Sequence, residues 1–178
     1  MTLLKICDLK THFFTGKNRS GNGIIRAVDG IDLHLEPGKT EGLVGESGCG
    51  KTVTALSIMK LLPRSGKTIS GKILFEGEDL LLKSPREMSK IRGKKISMIF
   101  QEPLSSLNPV LRSGKQIEEA IRLHRGMGRT EAEKEAVRIM ELVGIPSPGA
   151  RAKDYPHQLS GGMRQRIMIA MAISCNPS

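Results

Sequence analysis

The chain has 178 residues, and its 28 lysines and arginines against 18 acidic residues give a formal net charge of +10. The length fits one domain with a core of its own. Its three widely spaced cysteines exclude a disulfide framework and a paired-cysteine zinc site, and we expect a reducing, cytosolic compartment. With aromatic residues at only 3%, platforms for stacking nucleic-acid bases are scarce, and we expect no nucleic-acid partner. No run of about 18 apolar residues occurs, so we expect neither a signal peptide nor a membrane-spanning helix.

The first part of the chain predicts an antiparallel β layer. Residues 3–7 are mostly apolar and predict a strand, and a glycine-rich polar stretch at 16–23 predicts a hairpin tip. Residues 24–28 predict the returning strand, and residues 31–35 alternate between apolar and polar as a half-buried strand does. Phe13 and Phe14 stand out in a chain with four Phe and one Tyr. Either ring could pack in the core or present an aromatic face to adenine.

Residues 45–52 match G-x-x-x-x-G-K-[ST] at every fixed position, from Gly45 through Lys51 to Thr52. In this motif, glycines allow successive backbone N–H groups to turn around an anion, and the following helix adds its positive end. A lysine in this place reaches the β- and γ-phosphates, and the hydroxyl after it suits Mg²⁺. The alternative is a glycine-rich turn without a ligand, which leaves the lysine and threonine unexplained.

The motif has the expected neighbours on both sides. Leu43 and Val44 predict a short strand before it, and residues 52–62 predict a helix after it. The apolar face of that helix is Ala55, Leu56, Met59 and Leu62, with Pro63 beyond it. Glu41 is unusual in a central strand, where an unpaired carboxylate is unfavourable. It lies either at the exposed start of the strand or in a strand that is compromised.

The stretch that follows predicts further α/β elements. Residues 70–75 predict a strand, residues 80–92 a short helix with Met88 and Ile91, and residues 96–100 a buried strand that ends at Gln101. A polar residue at the carboxyl end of an α/β strand is where ligands usually lie. Two prolines and two serines predict a loop over 102–109.

Residues 108–158 predict a helical subdomain inserted into the α/β core. Its first helix carries one face made of Ile117, Ala120, Ile121 and His124. Its second begins at a capping box, Thr130 to Glu133, and ends at Gly144. The apolar stripe of that second helix is Ala132, Ala136, Ile139, Met140 and Val143. We expect the histidines here, His124 and His157, to be core or surface residues rather than metal ligands.

The chain then predicts a second helix start with glycines. Ser160 is a good N-cap residue, Gly161 and Gly162 follow it, and residues 167–173 are all apolar, which predicts a helix buried nearly all round. A Ser-Gly-Gly helix start is either a second anion site or an ordinary capped helix. The residues alone leave both interpretations open.

Taken together, the loop at 45–52, Gln101 after a strand, and Leu-Ser-Gly-Gly-Met-Arg-Gln at 159–165 resemble the nucleotide-binding domain of an ABC transporter. The resemblance runs from about Leu3 to the last residue. The segments 100–109 and 155–166 are similar in sequence to the ATP-binding subunits of oligopeptide and dipeptide importers, and nickel importers share much of the same sequence. It implies an α/β fold: a P-loop NTPase core with an N-terminal antiparallel β layer and an inserted helical subdomain. The domain limits that we predict are 1–107, 108–158 and 159–178.

The resemblance also implies a role for each motif position. Phe13 matches the aromatic residue that stacks on adenine, and Gln101 matches the glutamine that contacts Mg²⁺ or the attacking water. The loop after Gln101, together with the helical subdomain, matches the surface that faces the membrane subunits. The residues matched to the phosphates of ATP are Gly45, Glu46, Ser47, Gly48, Cys49, Gly50, Lys51, Thr52 and Val53, with Thr52 also matched to Mg²⁺. The signature residues matched to an ATP bound by another subunit are Ser160, Gly161, Gly162 and Gln165.

The implied partners are a second ATP-binding subunit, two membrane permeases and, indirectly, an extracytoplasmic binding protein. The implied place is the cytoplasmic face of the cell membrane. Family members continue with a Walker B strand, a catalytic glutamate and a switch histidine, for which the 178 residues offer no motif match. We therefore expect the chain alone to hydrolyse no ATP and to aggregate readily, as a piece of a longer protein. The alternatives are an importer of nickel or another small solute, and a non-catalytic fragment.

Overall fold

The computed structural model describes residues 2–18, 21–100 and 106–178. The chain divides into two compact units, residues 1–88 and 89–178. The described helices include none long and apolar enough to cross a bilayer. Each unit has buried apolar residues of its own.

The first unit is built on a four-stranded antiparallel sheet in the described part of the chain, with the order β2-β1-β3-β4. The long strands β1 (Leu4–Asn18) and β2 (Gly21–Leu35) form the predicted hairpin. The predicted strands 24–28 and 31–35 are thus one bulged strand. Strand β3 (Gly66–Phe75) pairs with β1, and the short β4 (Glu78–Asp79) pairs with β3.

A bulge crosses three strands of this sheet at Asp8. The pairing of β1 shifts register here against both neighbours, and Asp8 has a φ of 42°. Gly30 and Gly71, beside it on the two neighbouring strands, also have positive φ, at 84° and 101°. A Cβ on Gly71 would lie 2.6 Å from the carbonyl oxygen of Asp8, so only glycine fits there.

Helix α1 (Lys51–Ile58) lies between β2 and β3 in the chain. The 3₁₀ turn Leu80–Leu82 and helix α2 (Pro85–Ile91) occupy the region where one helix was predicted for 80–92. Leu80 and Met88 are fully buried there. The helical prediction is therefore confirmed in two pieces.

Two predicted strands are wrong. Residues 39–46 have no regular structure, and Leu43 and Val44 are 47% and 93% exposed. Residues 97–100 are likewise irregular, with a single bridge from Ile96 to Arg92 before them. A strand requires a neighbouring backbone to bond, and in the described residues neither segment has one beyond that bridge. Glu41 is exposed, so no buried carboxylate arises.

The second unit contains the helices α3 (Ser113–Arg125), α4 (Arg129–Leu142), α5 (Pro148–Arg151) and α6 (Gly161–Ile173), with a 3₁₀ turn at Pro156–Gln158. Most of the predicted stripes are confirmed as its core. The residues of α3 and α4 in this core are Ile117, Ile121, Ala132, Ala136, Ile139 and Met140, and α6 adds Ile167, Met168 and Ala170. Helix α6 therefore belongs to the same core as the helices before it, and the division at residue 88 differs from the boundary we predicted at 107.

Two details of these helices correct the sequence analysis. Helix α4 begins at Arg129 after an extended Gly128, so Thr130 and Glu133 lie inside the helix and do not form its capping box. Helix α6 buries one face, whereas Ile169, Met171 and Ile173 on its other sides are half-buried. Its seven consecutive apolar residues are thus partly buried and partly half-buried, and the prediction of a helix buried nearly all round is wrong.

Candidate functional site

The glycine-rich loop at 45–50 adopts a conformation that only glycine permits at two positions. Gly48 has a φ of 83°, and Gly50, the residue before α1, has a φ of 95°. A Cβ at Gly50 would lie 2.3 Å from the carbonyl oxygen of Ala27 on β2. The second fixed glycine of the motif is therefore required by close packing of the loop against the sheet.

The ammonium group of Lys51 lies within this loop. Its Nζ donates hydrogen bonds of 2.7 Å to the carbonyl oxygens of both Gly45 and Glu46, and it lies 3.4 Å from Sγ of Cys49. Backbone carbonyls carry only partial charge, so the positive charge of Lys51 is solvated by the loop but not neutralised. The loop thus holds an available cation beside the positive end of a helix, an arrangement suited to an anion such as phosphate.

Helix α1 is fixed to the sheet by hydroxyl groups. Oγ of Ser57 lies 3.0 Å from Oγ1 of Thr11 on β1, with both residues fully buried, and also donates to the carbonyl of Val53 at 2.7 Å. Oγ1 of Thr54 donates to the carbonyl of Gly50 at 3.1 Å. These bonds set the position of the helix whose first turn carries the loop.

The buried face of α1 differs from the apolar face predicted for it. Thr54, Ser57 and Met59 are buried, whereas Ala55, Leu56 and Leu62 are half-buried. The apolar residue types favoured the wrong side of the helix, because the buried hydroxyls are satisfied by the Thr11 hydroxyl and by carbonyls of the helix. The spacing of Thr54 and Ser57, three residues apart on one helix face, is the signal that could have identified them.

The remaining loop positions lie on the outside of the loop or at the helix start. Glu46, Ser47, Cys49 and Thr52 are exposed, and Val53 is half-buried. The Thr52 hydroxyl is therefore open at the first turn of α1, and an oxygen ligand of this kind is what Mg²⁺ prefers. A cavity of about 170 Å³ adjoins the loop, and its lining residues include Val28, Asp29, Leu43, Val44 and Lys51.

The two phenylalanines of β1 have different surroundings. Phe13 is half-buried and pairs with Ile25 on β2, and a Cβ on Gly66 would lie 2.9 Å from Cε1 of its ring. Phe14 is 42% exposed, and the Lys67 ammonium lies 5.9 Å from its ring centroid. Phe13 therefore has the more fixed position, and its role with adenine stays a prediction.

The Ser-Gly-Gly segment forms the start of α6 in the second unit. Oγ of Ser160 accepts a hydrogen bond of 3.3 Å from the backbone N–H of Met163, which makes Ser160 the N-cap residue as predicted. Gly161, Gly162 and Gln165 are exposed, and a Cβ on either glycine would meet no atom within 4 Å. Within the described residues, packing therefore gives no reason for these glycines, and their matched role stays a prediction.

Helix α6 is attached to the end of α4 by Arg166. Its Nη1 donates to the carbonyl oxygens of Val143, at 3.0 Å, and Gly144, at 2.7 Å. Cations favour the carbonyl end of a helix, where the last backbone acceptors lack partners. Gly144 is the helix stop that the sequence predicts, as its φ of 76° confirms, whereas the contact with Arg166 has no signal in the sequence.

Gln101, which we matched to Mg²⁺ or the attacking water, lies outside the described residues. Its predicted role therefore rests on the sequence alone. The other site residues divide between the two units: Phe13 and residues 45–53 belong to the first, and Ser160, Gly161, Gly162 and Gln165 to the second.

Comparison with protein families gives one match over most of the chain. A family model described as ABC transporter matches residues 28–178. The oligopeptide transport ATP-binding protein AppD of Bacillus subtilis is 50% identical over 177 residues, or 99% of this chain and 52% of its own length. The dipeptide transport ATP-binding protein DppD of Bacillus subtilis is 54% identical over 156 residues, or 87% of this chain and 47% of its own. A probable peptide ABC transporter ATP-binding protein, y4tR, of Sinorhizobium fredii is 48% identical over 98% of this chain and 51% of its own. The chain thus spans about half the length of these curated relatives.

Solved structures match the fold as well. The dimeric structure of MJ0796, a bacterial ABC transporter cassette, has a TM-score of 0.84 and 27% identity, over 98% of this chain and 70% of that one. The same cassette in a post-hydrolysis state with ADP and Pi has a TM-score of 0.82. These matches confirm the α/β cassette fold that the sequence predicts.

Proposed function

Because the chain belongs to the ABC transporter family, we propose that it is the ATP-binding, energy-coupling part of an importer for peptides. The observation that carries the proposal is the Lys51 ammonium held in the glycine-rich loop at the start of α1. The substrate class is supported by the names of the three relatives given above, at 48–54% identity, which are peptide, oligopeptide and dipeptide transport proteins.

In the proposed site, the triphosphate of ATP lies in the loop formed by residues 45–53. Lys51 exchanges its two carbonyl bonds for the β- and γ-phosphates, since an anion attracts the ammonium more strongly than a neutral carbonyl does. Phe13 places its ring against the adenine. The Thr52 hydroxyl, exposed at the first turn of α1, would be the residue that holds Mg²⁺. When bound, Mg²⁺ offsets negative charge on the phosphates.

We propose further that the site is completed by a second ATP-binding subunit. Ser160, Gly161 and Gly162 form an exposed helix start with open space at both glycines, which suits the approach of a phosphate from outside the chain. The similar cassette MJ0796 is dimeric in its structure. Each ATP would then lie between the loop of one subunit and the Ser-Gly-Gly helix start of the other, with Gln165 beside it.

Closure of two such subunits on ATP is proposed to move two membrane permeases, with the chain bound at the cytoplasmic face of the membrane. An extracytoplasmic binding protein would supply the peptide. Gln101 is proposed to take part in hydrolysis at the subunit interface. We also propose that the 178 residues alone bind ATP but do not hydrolyse it repeatedly. The resemblance assigns a part in ATP hydrolysis to only one of these residues, Gln101. Release of more than one phosphate per chain by monodisperse protein, measured with malachite green, would contradict this.

The transport proposal is tested by substrate uptake in cells that produce the complete protein, either unchanged or with Lys51→Ala. We expect uptake of a labelled di- or oligopeptide to fall to background in the variant, with the protein still present at the membrane. Uptake of radioactive nickel is measured in the same cells. If nickel uptake depends on Lys51 and peptide uptake does not, the substrate class is wrong while the ATP-binding proposal stands.

A further inference from the structure

A cavity in the second unit brings together several positive side chains that are not part of the proposed nucleotide site. It has a volume of about 210 Å³ and lies between the start of α3, the first half of α4, and α5. Four basic residues line it, and they come from all three helices and the segments beside them: Arg112, Lys115, Arg129 and Lys153. The acidic residues in its lining are Glu118 and Glu133.

One of the carboxylates is already neutralised. Glu118 has a side chain only 7% exposed, and its Oε1 accepts a hydrogen bond of 2.8 Å from Nζ of Lys115. Nη1 of Arg122 lies 3.6 Å from the same oxygen. A buried carboxylate requires such partners, so Glu118 and Lys115 form a closed pair in the cavity wall.

Three cations remain without a carboxylate partner. Across the described residues, no salt bridge within 4.0 Å joins Arg112, Arg129 or Lys153 to an acid, and the same holds for Glu133. Three positive charges and one negative charge therefore share one concave surface. The three cations are exposed, so solvent screens part of their mutual repulsion, but the shared concave surface lets one anion contact several of them at once. An anion of more than one charge would relieve this repulsion.

The walls of the cavity are held in place by backbone bonds. The N–H of Ser113 donates to the carbonyl of Asp154 at 2.9 Å, and that of Gly114 donates to Ala152 at 3.0 Å. A Cβ on Gly114 would lie 2.7 Å from Cβ of Ala152, so the two segments pack at the closest distance that a glycine allows. These contacts fix the start of α3 against the end of α5, and the cations extend from a preformed frame.

We propose that this cavity is a binding site for a phosphate group, and we call it the helical-unit phosphate site. Arginine forms paired hydrogen bonds with phosphate oxygens. For a site with two arginines and a lysine, a phosphate dianion is a better ligand than a single carboxylate, because it carries more negative charge. The volume is below the roughly 300–1,000 Å³ of pockets for drug-sized ligands, so it suits a phosphate with little attached and not a whole nucleotide. That group could come from a free phosphate compound or from a phospholipid headgroup.

The experiment measures phosphate binding by isothermal titration calorimetry at constant ionic strength. All proteins carry Lys51→Ala, so that the nucleotide loop contributes little to phosphate binding. The site variant is Arg129→Gln with Lys153→Gln. The control is Lys94→Gln with Lys134→Gln, which removes the same charge from exposed positions outside the cavity lining. A second arm measures co-sedimentation with vesicles of phosphatidylglycerol in phosphatidylcholine.

We expect the site variant to bind inorganic phosphate about tenfold more weakly than its parent, or to lose vesicle binding, with the control within about twofold. Loss of phosphate binding assigns a free phosphate compound, and loss of vesicle binding alone assigns the headgroup. Equal losses in both variants would show a general charge effect and overturn the site, as would no effect in either arm. Urea denaturation of the site variant beside its parent checks its folding. The test stands apart from the transport proposal, because neither arm uses nucleotide or permease.

Discussion

The hydroxyl groups of Thr11 and Ser57 lie 3.0 Å apart, with both side chains buried, and they join β1 to the helix that follows the glycine-rich loop. A buried hydroxyl that loses its partner destabilises the fold by about 1–3 kcal/mol, whereas removing both partners together is close to neutral. We therefore expect Thr11→Val and Ser57→Ala each to lower the free energy of unfolding, and the double variant to lose less than the sum of the two single losses. Urea denaturation of the four proteins measures this coupling. Additive effects would show that the contact does not join strand and helix.

Phe13 and Phe14 offer a matched pair for the adenine prediction. Replacing Phe13 by leucine keeps apolar volume against Gly66 but removes the aromatic face. Stacking of a base on an aromatic ring contributes about 1–3 kcal/mol, so we expect Phe13→Leu to weaken ATP binding by roughly fivefold to a hundredfold. Phe14→Leu should have little effect, and the affinity for inorganic triphosphate should not change in either variant. A larger loss in Phe14→Leu would move the adenine contact to the neighbouring ring.

Glu135 makes a pH-dependent contribution to the stability of the second unit. Hydrogen bonds from Arg138, then from Arg125, lower the pKa of Glu135 from 4.5 to about 2. A carboxylate with a lowered pKa in the folded state contributes its full stability above the unfolded pKa and loses it as the pH falls through the folded one. We expect the difference in Tm between wild type and Glu135→Gln to be constant near pH 7 and to shrink between about pH 4.5 and 2. The exposed Glu119→Gln serves as the control, and a gap independent of pH would contradict the ion-pair assignment.

Substitutions at Gly144 and Gly126 distinguish the effect of backbone strain from the effect of contact with Arg166. Both have positive φ, at 76° and 69°, but a Cβ on Gly144 would lie 2.3 Å from Nη1 of Arg166, whereas one on Gly126 meets nothing within 4 Å. Alanine at either site should lower the free energy of unfolding by about 1–2 kcal/mol from its conformation alone. We expect Gly144→Ala to lower it further by displacing the guanidinium, and this excess should vanish in an Arg166→Ala background. An excess that persists there would have another cause.

The sequence predicted the parts of this chain whose signal is local. The glycines at 48 and 50, the N-cap at Ser160 and the helix stop at Gly144 each follow from what one residue type does to the backbone. The stripes of α3 and α4 followed from helical periodicity.

The misses have a common physical origin. Apolar runs at 43–44 and 96–100 predicted strands, but a strand forms only where another backbone supplies hydrogen bonds, and hydropathy does not contain that information. The buried hydroxyls of Thr54 and Ser57 were missed because hydropathy treats them as polar, although helix carbonyls and the Thr11 hydroxyl satisfy them. The cations at Arg112, Arg129 and Lys153 are 41 residues apart at the extremes, so only the folded helices bring them together.

The central claim is that the loop at 45–52 binds Mg-ATP through Lys51, and equilibrium binding of Mg-ATP to purified protein tests it most directly. We expect saturable binding of one nucleotide per chain, at least about tenfold weaker in Lys51→Ala, because a charge-assisted contact to phosphate is lost. The exposed Lys39→Ala should bind as wild type does. Equal affinities of the Lys51→Ala and wild-type proteins, or no saturable binding by the wild type, would contradict the account.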